Sequence, residues 1–282
     1  MSGLGIIAGG GELPIAIAEC AQDSGKHVFV VGLKGIADPT ISRFAHLWVP
    51  LGQAGTMARA FREHGCSEVL LAGKVSRPKW SDISFDAKAL TKLPRVMAAA
   101  MRGDDALLRS FVDIIEGEGF RAVGVAEAAP GLLSPAGALG KLKPSPAQMA
   151  DIELAAKAVN ALGALDIGQA AIVCDGLVLA VEAAEGTDAT IARIAELPEH
   201  LRGTAGKPRG VLYKARKPIQ DGKTDLPVIG SETVRTAASV FLAGIAVEAG
   251  GALVVGRQKV TEAADRAGLF LYGYPAPAPT SR

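Results

Sequence analysis

The sequence predicts an α/β protein with a Rossmann-like N-terminal domain built on a parallel sheet and a second α/β domain with a mixed sheet. In the first half of the chain, short apolar runs alternate with amphipathic segments, a pattern typical of parallel strands joined by helices. A segment rich in proline and glycine, residues 129–146, interrupts this alternation. In the second half, Asp175-Gly176 lies between two apolar runs and predicts a β-hairpin.

The first half contains regularly spaced strand and helix signals. The predicted strands are residues 5–8, 27–31, 48–49, 67–72 and 120–125, and the predicted helices are residues 13–24, 54–64 and 104–118. The last helix has the clearest pattern, because Leu107, Phe111 and Ile114 recur at helical spacing. Strands that alternate with helices in this way predict a doubly wound parallel sheet.

The interruption predicts two domains, of residues 1–132 and 146–282, joined by a linker of residues 133–145. Ser145-Pro146 predicts a helix start, because serine caps helices and proline is tolerated in the first turn. The predicted elements of the second domain are helices at 147–162, 187–197, 231–249 and 261–267 and strands at 170–174, 177–181, 210–213 and 252–255.

Composition excludes several classes of protein. The 30 Lys and Arg residues nearly balance the 29 Asp and Glu residues, which argues against a dedicated nucleic-acid binder. Cys20, Cys66 and Cys174 are far apart, so neither a disulfide framework nor a metal-binding spacing is predicted. No apolar run reaches about 18 residues, and no basic segment precedes an apolar run at the N-terminus. We therefore expect a cytoplasmic protein, for which peripheral contact with a membrane stays open.

Two glycine-containing loops are candidates for phosphate binding. Gly9-Gly10-Gly11 follows the first strand and precedes the first helix, where backbone N–H groups attract phosphate. The spacing matches neither the dinucleotide fingerprint nor a P-loop, and a tight turn is the alternative. Residues 73–78 follow the strand at 67–72 and reach the same sheet edge if both strands are parallel. Lys74 and Arg77 could face an anion there or belong to a solvated loop.

Acidic residues begin two of the predicted helices. Asp104 and Asp105 are best explained as capping residues. In the run Glu182 to Asp188, Thr187 could cap the next helix, and two of the carboxylates could converge on a metal ion or a phosphate.

The segment from Lys214 to Asp225 alternates basic and acidic side chains just before a predicted helix. Lysines and a metal ion can neutralise a pyrophosphate, and a carboxylate can orient water. This segment therefore predicts a phosphoryl-transfer loop, although Asp221-Gly222 could also be a simple turn.

Several of these motifs, in order along nearly the whole chain, resemble the LpxI-type UDP-2,3-diacylglucosamine pyrophosphatases of lipid A biosynthesis. The matching pieces are residues 7–14, Gly73-Lys74-Val75, Gly103-Asp104-Asp105 with Leu107-Leu108-Arg109, Gly168-Gln169, residues 182–188, Lys217-Pro218 with Gln220-Asp221, and residues 225–230. One piece alone would be weak evidence, whereas the ordered set is specific.

The resemblance implies Mg²⁺-dependent hydrolysis of UDP-2,3-diacylglucosamine to UMP and 2,3-diacylglucosamine 1-phosphate (lipid X). It implies that the first domain binds UDP, that the second binds the acylated sugar, and that the active site lies between them. It also implies a homodimer at the inner-membrane surface. The aspartate of the family's Asp-Leu-Pro motif is Asp225 in this chain, and the resemblance makes it the essential catalytic residue.

The residues and the resemblance together define a candidate site. The expected catalytic residues are Asp225, Lys217 and Asp221, and the candidate Mg²⁺ ligands are Asp225, Asp188 and Asp221. The expected nucleotide contacts are Gly10, Gly11, Glu12, Leu13, Gly73, Lys74, Val75, Asp104 and Asp105. Two other functions stay open: a non-catalytic carrier of a nucleotide-sugar lipid, and a Rossmann-type oxidoreductase, which the missing fingerprint disfavours.

Overall fold

The computed structural model describes residues 3–75, 84–101, 104–218 and 226–275, without the side chains of Asp104, Asp105 and Leu108. Its contacts divide the chain into two compact units, with the boundary between Gly131 and Leu132. No helix within the described residues is long and apolar enough to cross a membrane.

The first unit is a parallel sheet with helices, as predicted. Its strands are β1 (Gly3–Ala8), β2 (Val28–Leu33), β3 (His46–Val49), β4 (Cys66–Ala72) and β5 (Arg121–Ala122). Its helices are α1 (Leu13–Asp23), α2 (Ala54–Glu63), α3 (Ala87–Ala100), α4 (Asp104–Gly117) and α5 (Val125–Ala128). The strand order is β3-β2-β1-β4-β5, and every neighbouring pair is parallel. This order reverses direction between β1 and β4, which is where doubly wound proteins bind ligands.

Two elements of the first unit differ from the prediction. The segment 120–125 forms a strand only at Arg121–Ala122, after which the chain turns into α5. Helix α3 has no counterpart among the predicted helices; it contains Pro94 in its interior, and its N-cap residue Asp86 accepts a hydrogen bond from the N–H of Ala89. Proline usually argues against a helix interior, so the sequence signal pointed away from this helix.

The second unit contains a mixed sheet covered by helices on both faces. Its strands are β6 (Gly137–Ala138), β7 (Ala170–Cys174), β8 (Leu177–Val181), β9 (Val211–Lys214), β10 (Val228–Ile229), β11 (Gly244–Glu248), β12 (Leu253–Val254) and β13 (Phe270–Tyr274). Its helices are α6 (Pro146–Ala164), α7 (Thr187–Ala192), α8 (Ser231–Ser239) and α9 (Arg257–Ala267). The main sheet has the order β6-β13-β11-β9-β7-β8, in which β9, β11 and β13 are parallel and the other pairs are antiparallel.

The two faces of this sheet have separate apolar cores. Ile152, Ala155 and Val159 of α6 pack on one face. The other face is covered by α7, α8 and α9, which contribute Ile191, Val234, Ala237, Val260 and Ala264. Helix α6 begins with the predicted cap, in which the side chains of Ser145 and Gln148 each accept from the other's backbone N–H.

The predicted long helix over 231–249 is wrong. Helix α8 ends at Ser239, and Phe241 then adopts a left-handed backbone with φ of 60°. The remaining residues form β11, a central strand in which Ile245 and Val247 enter one core and Ala246 the other. A strand buried on both faces is apolar throughout, so its sequence resembles that of a buried helix.

Two further segments of the second unit differ from the prediction. The predicted helix 187–197 is an α-helix only to Ala192, followed by a 3₁₀ turn at Arg193–Glu196. Part of the segment proposed as a linker, residues 133–145, packs within the second unit: the N–H of Ser134 donates to the carbonyl of Ala252, and β6 pairs with β13.

Candidate active site

The two glycine loops of the first unit meet at the carboxyl edge of its sheet. The N–H of Gly10 donates to the carbonyl of Lys74 over 2.8 Å, and the N–H of Lys74 donates back to the carbonyl of Gly10 over 2.9 Å. A β-carbon on Gly73 would lie 2.7 Å from the carbonyl oxygen of Gly10, and Gly73 has a φ of 91°. Only glycine fits this turn without strain.

This pairing changes which backbone groups could hold phosphate. The Gly10 N–H already has a partner, so the N–H groups available to a phosphate are those of the residues that follow. Gly11 and Glu12 are exposed, and Leu13 starts α1. Amides in the first turn of a helix have no partner within the helix, so this end of the loop can still receive an anion.

Only some of the remaining predicted nucleotide contacts have side chains in the described part of the structure. Lys74 and Val75 are exposed at the same loop. Asp104 and Asp105 begin α4, and their side chains lie outside the described part of the structure. Arg77 also lies outside it.

The carboxyl edge of the second sheet gathers buried charged side chains. Glu182 follows β8, Lys214 ends β9, and Glu248 ends β11; all three are buried, with 6%, 7% and 6% of their surfaces exposed. Charged residues are rarely buried without a partner or a function. This edge of the sheet is therefore a candidate functional site.

Each of these charged groups contacts a defined part of the edge. The Nζ of Lys214 donates to the carbonyl of Val228 over 3.2 Å. Glu248 accepts from the backbone N–H of Arg216 over 3.1 Å and forms an ion pair with its guanidinium. The Oε1 of Glu182 accepts from the hydroxyl of Thr187 over 3.0 Å.

The acidic residues of the run 182–188 have different surroundings. Glu185 forms an ion pair with Arg193 and accepts from the hydroxyl of Thr190. A hydrogen bond from its own backbone N–H, together with Arg193, holds the pKa of Glu185 below its usual range. Asp188 is exposed in the first turn of α7. Thr187 does not cap this helix, because its hydroxyl is used by Glu182 and the N-cap residue is Gly186.

Of the three predicted catalytic residues, Lys217 lies within the described part of the structure. The Nζ of Lys217 lies 2.8 Å from Oδ1 of Asp166, and its side chain is 18% exposed. Asp221 and Asp225 lie outside the described residues. The residues just after Asp225 are fixed in place: Leu226 is buried, and the carbonyl of Pro227 accepts from the N–H of Leu253 over 2.8 Å.

Lys214, Glu182 and Glu248 are not among the predicted catalytic, metal-binding or nucleotide-binding residues. Lys214 and Glu182 belong to segments identified from the sequence, but burial alone distinguishes them from their neighbours. No group of three or more His, Cys, Asp or Glu side chains within the described ranges is arranged to hold a metal ion.

The fold and these two edges define a two-domain α/β protein with a glycine-lined loop pair in one unit and buried charges at the sheet edge of the other. Family models match both halves: the LpxI N-terminal domain over residues 3–132 and the LpxI C-terminal domain over residues 135–272. The chain belongs to the LpxI family.

Individual relatives differ greatly in similarity. The UDP-2,3-diacylglucosamine pyrophosphatase LpxI of Caulobacter vibrioides is 48% identical over 273 residues, which cover 97% of this chain and 98% of that protein. Among solved structures, the precorrin-6A reductase CobK covers all of this chain and 91% of its own, at 12% identity and a TM-score of 0.32.

Proposed function

We propose that this chain hydrolyses the pyrophosphate bond of UDP-2,3-diacylglucosamine, giving UMP and lipid X. The observation that carries the proposal is the 48% identity to the Caulobacter enzyme over 97% of the chain. The buried charges at the carboxyl edge of the second sheet support it, because charged groups held in place can stabilise a transferring phosphoryl group.

In this proposal the two units bind different parts of the substrate. The loops around Gly11 and Lys74 suit the UDP portion, since they offer first-turn amides and a cation. The second unit, residues 146–282 of the predicted division, would bind the acylated sugar. Asp225 would orient the attacking water and accept its proton, and Lys217 would offset the charge that develops on phosphate.

Magnesium is the proposed cofactor. The candidate ligands Asp225, Asp221 and Asp188 are all carboxylates, the donors that a hard cation prefers. Asp188 is exposed and therefore accessible. When bound, Mg²⁺ would supply charge neutralisation at the pyrophosphate.

The proposed location is the inner-membrane surface on the cytoplasmic side, and the proposed assembly is a homodimer. The acyl chains of the substrate named for the Caulobacter relative place such a substrate in a lipid bilayer. Helix α3 and the residue that follows it offer a surface for lipid contact, because Leu90, Met97 and Met101 are 54%, 46% and 90% exposed.

One experiment tests the function directly. The purified full chain is incubated with UDP-2,3-diacylglucosamine in detergent micelles with Mg²⁺, and the release of UMP is measured by chromatography. Asp225→Ala should lower turnover at least about 10²-fold, the usual scale for a positioned acid-base group. Asp23→Ala, at the exposed end of α1, is the matched control and should be unaffected.

Two outcomes would contradict this proposal, the first its reaction and the second its catalytic residue. Tight binding of the substrate without release of UMP would indicate the carrier instead. Near-normal turnover by folded Asp225→Ala protein would remove Asp225 from catalysis.

A further inference from the structure

One carboxylate oxygen of Glu182 is buried and has no partner. Among the described residues, Oε2 of Glu182 is shielded from solvent and makes no hydrogen bond, although Oε1 is held by Thr187. Leaving a buried polar atom unsatisfied destabilises a fold. A bound ligand that donates a hydrogen bond to Oε2 of Glu182 would satisfy this atom.

The position of Glu182 is fixed by the sheet. Its N–H donates to the carbonyl of Ala170, and Ala170 in turn pairs with Lys214. Residues directly opposite in neighbouring strands point to the same face, and Ala170 enters the core under α7, α8 and α9. Glu182 and Lys214 therefore lie on one face, two strands and about 10 Å apart at their Cα atoms.

A second unsatisfied acceptor lies at the same edge. Oε1 of Gln169 is also buried without a partner among the described residues, and its residue directly precedes Ala170. Because Gln169 is one residue before Ala170, its side chain points to the face opposite Glu182 and Lys214. On the face of Glu182, a suitable ligand carries a hydrogen-bond donor for Oε2 and a negative charge that can lie near the buried Lys214.

We infer that Glu182 binds the sugar of the substrate, with Oε2 accepting a hydrogen bond from an amide N–H or a hydroxyl of the acylated glucosamine. This inference rests on the proposed function, whose substrate carries such donors next to a phosphate. Within the acidic run 182–188 we assign ligand binding to Glu182, because Glu185 is paired with Arg193.

The test uses the full chain with Mg²⁺ and compares Glu182→Gln with Glu185→Gln. The affinity for lipid X in detergent micelles, the affinity for Mn²⁺ in place of Mg²⁺, and the melting temperature without ligand are measured for each. Glutamine keeps the shape of the side chain but removes its charge. The affinity of Glu182→Gln for lipid X should fall at least about 10-fold, because hydrogen bonds to charged acceptors are the stronger ones. Glu185→Gln should bind lipid X as the wild type does.

Stability and metal binding separate this role from others. Glu182→Gln should melt at the same temperature as the wild type or higher, since it removes a buried charge with an unsatisfied oxygen. A lower melting temperature with unchanged affinity for lipid X would overturn the inference and make Glu182 structural. A loss of Mn²⁺ affinity would overturn it by making Glu182 a metal ligand.

Glu182→Leu removes both oxygens and provides a second variant should the glutamine variant not fold; it should bind lipid X more weakly still. Wild-type turnover distinguishes a failure of this inference from a failure of the proposed function. If the wild type releases UMP and both Glu182 variants bind lipid X normally, only this inference fails. If the wild type neither releases UMP nor binds lipid X, the proposed function fails and this inference fails with it.

Discussion

Gly168 lies directly against the backbone of Glu182: a β-carbon at position 168 would approach the carbonyl oxygen of Glu182 to 2.0 Å. No real side chain can be accommodated at that distance without moving the backbone. The close approach explains a glycine in the Gly168-Gln169 motif, and it ties this motif to the acidic run that begins at Glu182.

Gly168→Ala should therefore lower the free energy of unfolding by about 1–3 kcal/mol, the usual cost of overpacking. Urea denaturation followed by circular dichroism measures it. Gly117→Ala is the matched control, because a β-carbon there meets nothing within 4 Å at the end of α4. That control should be neutral or stabilising by up to about 1 kcal/mol. Equal effects of the two substitutions would contradict the steric explanation.

The pairing of the two glycine loops should be needed for nucleotide binding. Gly73→Ala forces a β-carbon onto the Gly10 carbonyl and should weaken UMP binding at least about 10-fold, measured by calorimetry, while affinity for lipid X is retained. Gly25→Ala has a similar backbone strain, with a φ of 80°, but its β-carbon would meet no atom. It should leave UMP binding unchanged. If Gly73→Ala weakened only lipid X binding, the nucleotide would not belong to the first unit.

Removal of divalent cations should abolish turnover. The candidate metal ligands are carboxylates, which bind Mg²⁺ or Mn²⁺ reversibly. Excess chelator should stop UMP release, and either cation should restore it, with an unchanged circular dichroism spectrum as the control for folding. Undiminished activity in chelator, with no metal detected in the protein, would exclude this cofactor.

Two of the cysteine thiols should be nearly inert. Burial raises the pKa of Cys66 and of Cys174 to about 11, whereas Cys20 is only half-buried. Only the thiolate reacts, and its fraction at pH 8 is about a thousandth for a pKa of 11. A disulfide-exchange reagent should modify Cys20 at least about 100-fold faster than the other two. The reactivity of the buried pair should rise with pH up to about 11.

The same reagent provides the controls for this experiment. Cys20→Ser protein should lose the fast phase, and protein unfolded in urea should show three reactive thiols. A fast phase that persists in Cys20→Ser protein would show that Cys66 or Cys174 is accessible.

Helix α3 should contribute to membrane binding. Replacing Met97 and Met101 by Glu should reduce sedimentation with phosphatidylglycerol-containing vesicles roughly 5-fold or more, because burying each apolar side chain contributes on the order of 1.5 kcal/mol. Leu177→Glu changes a side chain that is 49% exposed in β8 and should have little effect. Equal losses would assign the binding to general charge instead of α3.

Local patterns predicted most of the helices and strands. The helices at α1, α2 and α6 and the hairpin of β7 and β8 were confirmed within a few residues, because each has its own periodicity, cap or turn residues. Helix α3 and strand β11 were missed or misassigned. In α3 the local signal of Pro94 was overridden, and in β11 burial on both faces removed the alternation that identifies a strand.

The sequence by itself determined the fold class, the two-part organisation and the motifs that carry the family resemblance, since these depend on local spacing and on residue identity. Only the tertiary structure decided that Gly10 and Lys74 pair, that Lys217 contacts Asp166, and that Glu182 is buried while Asp188 is exposed. These facts follow from strand register and packing. The surroundings of a carboxylate are set by residues that are distant in the chain. A local sequence pattern therefore does not predict which of several neighbouring acidic residues is buried against the sheet.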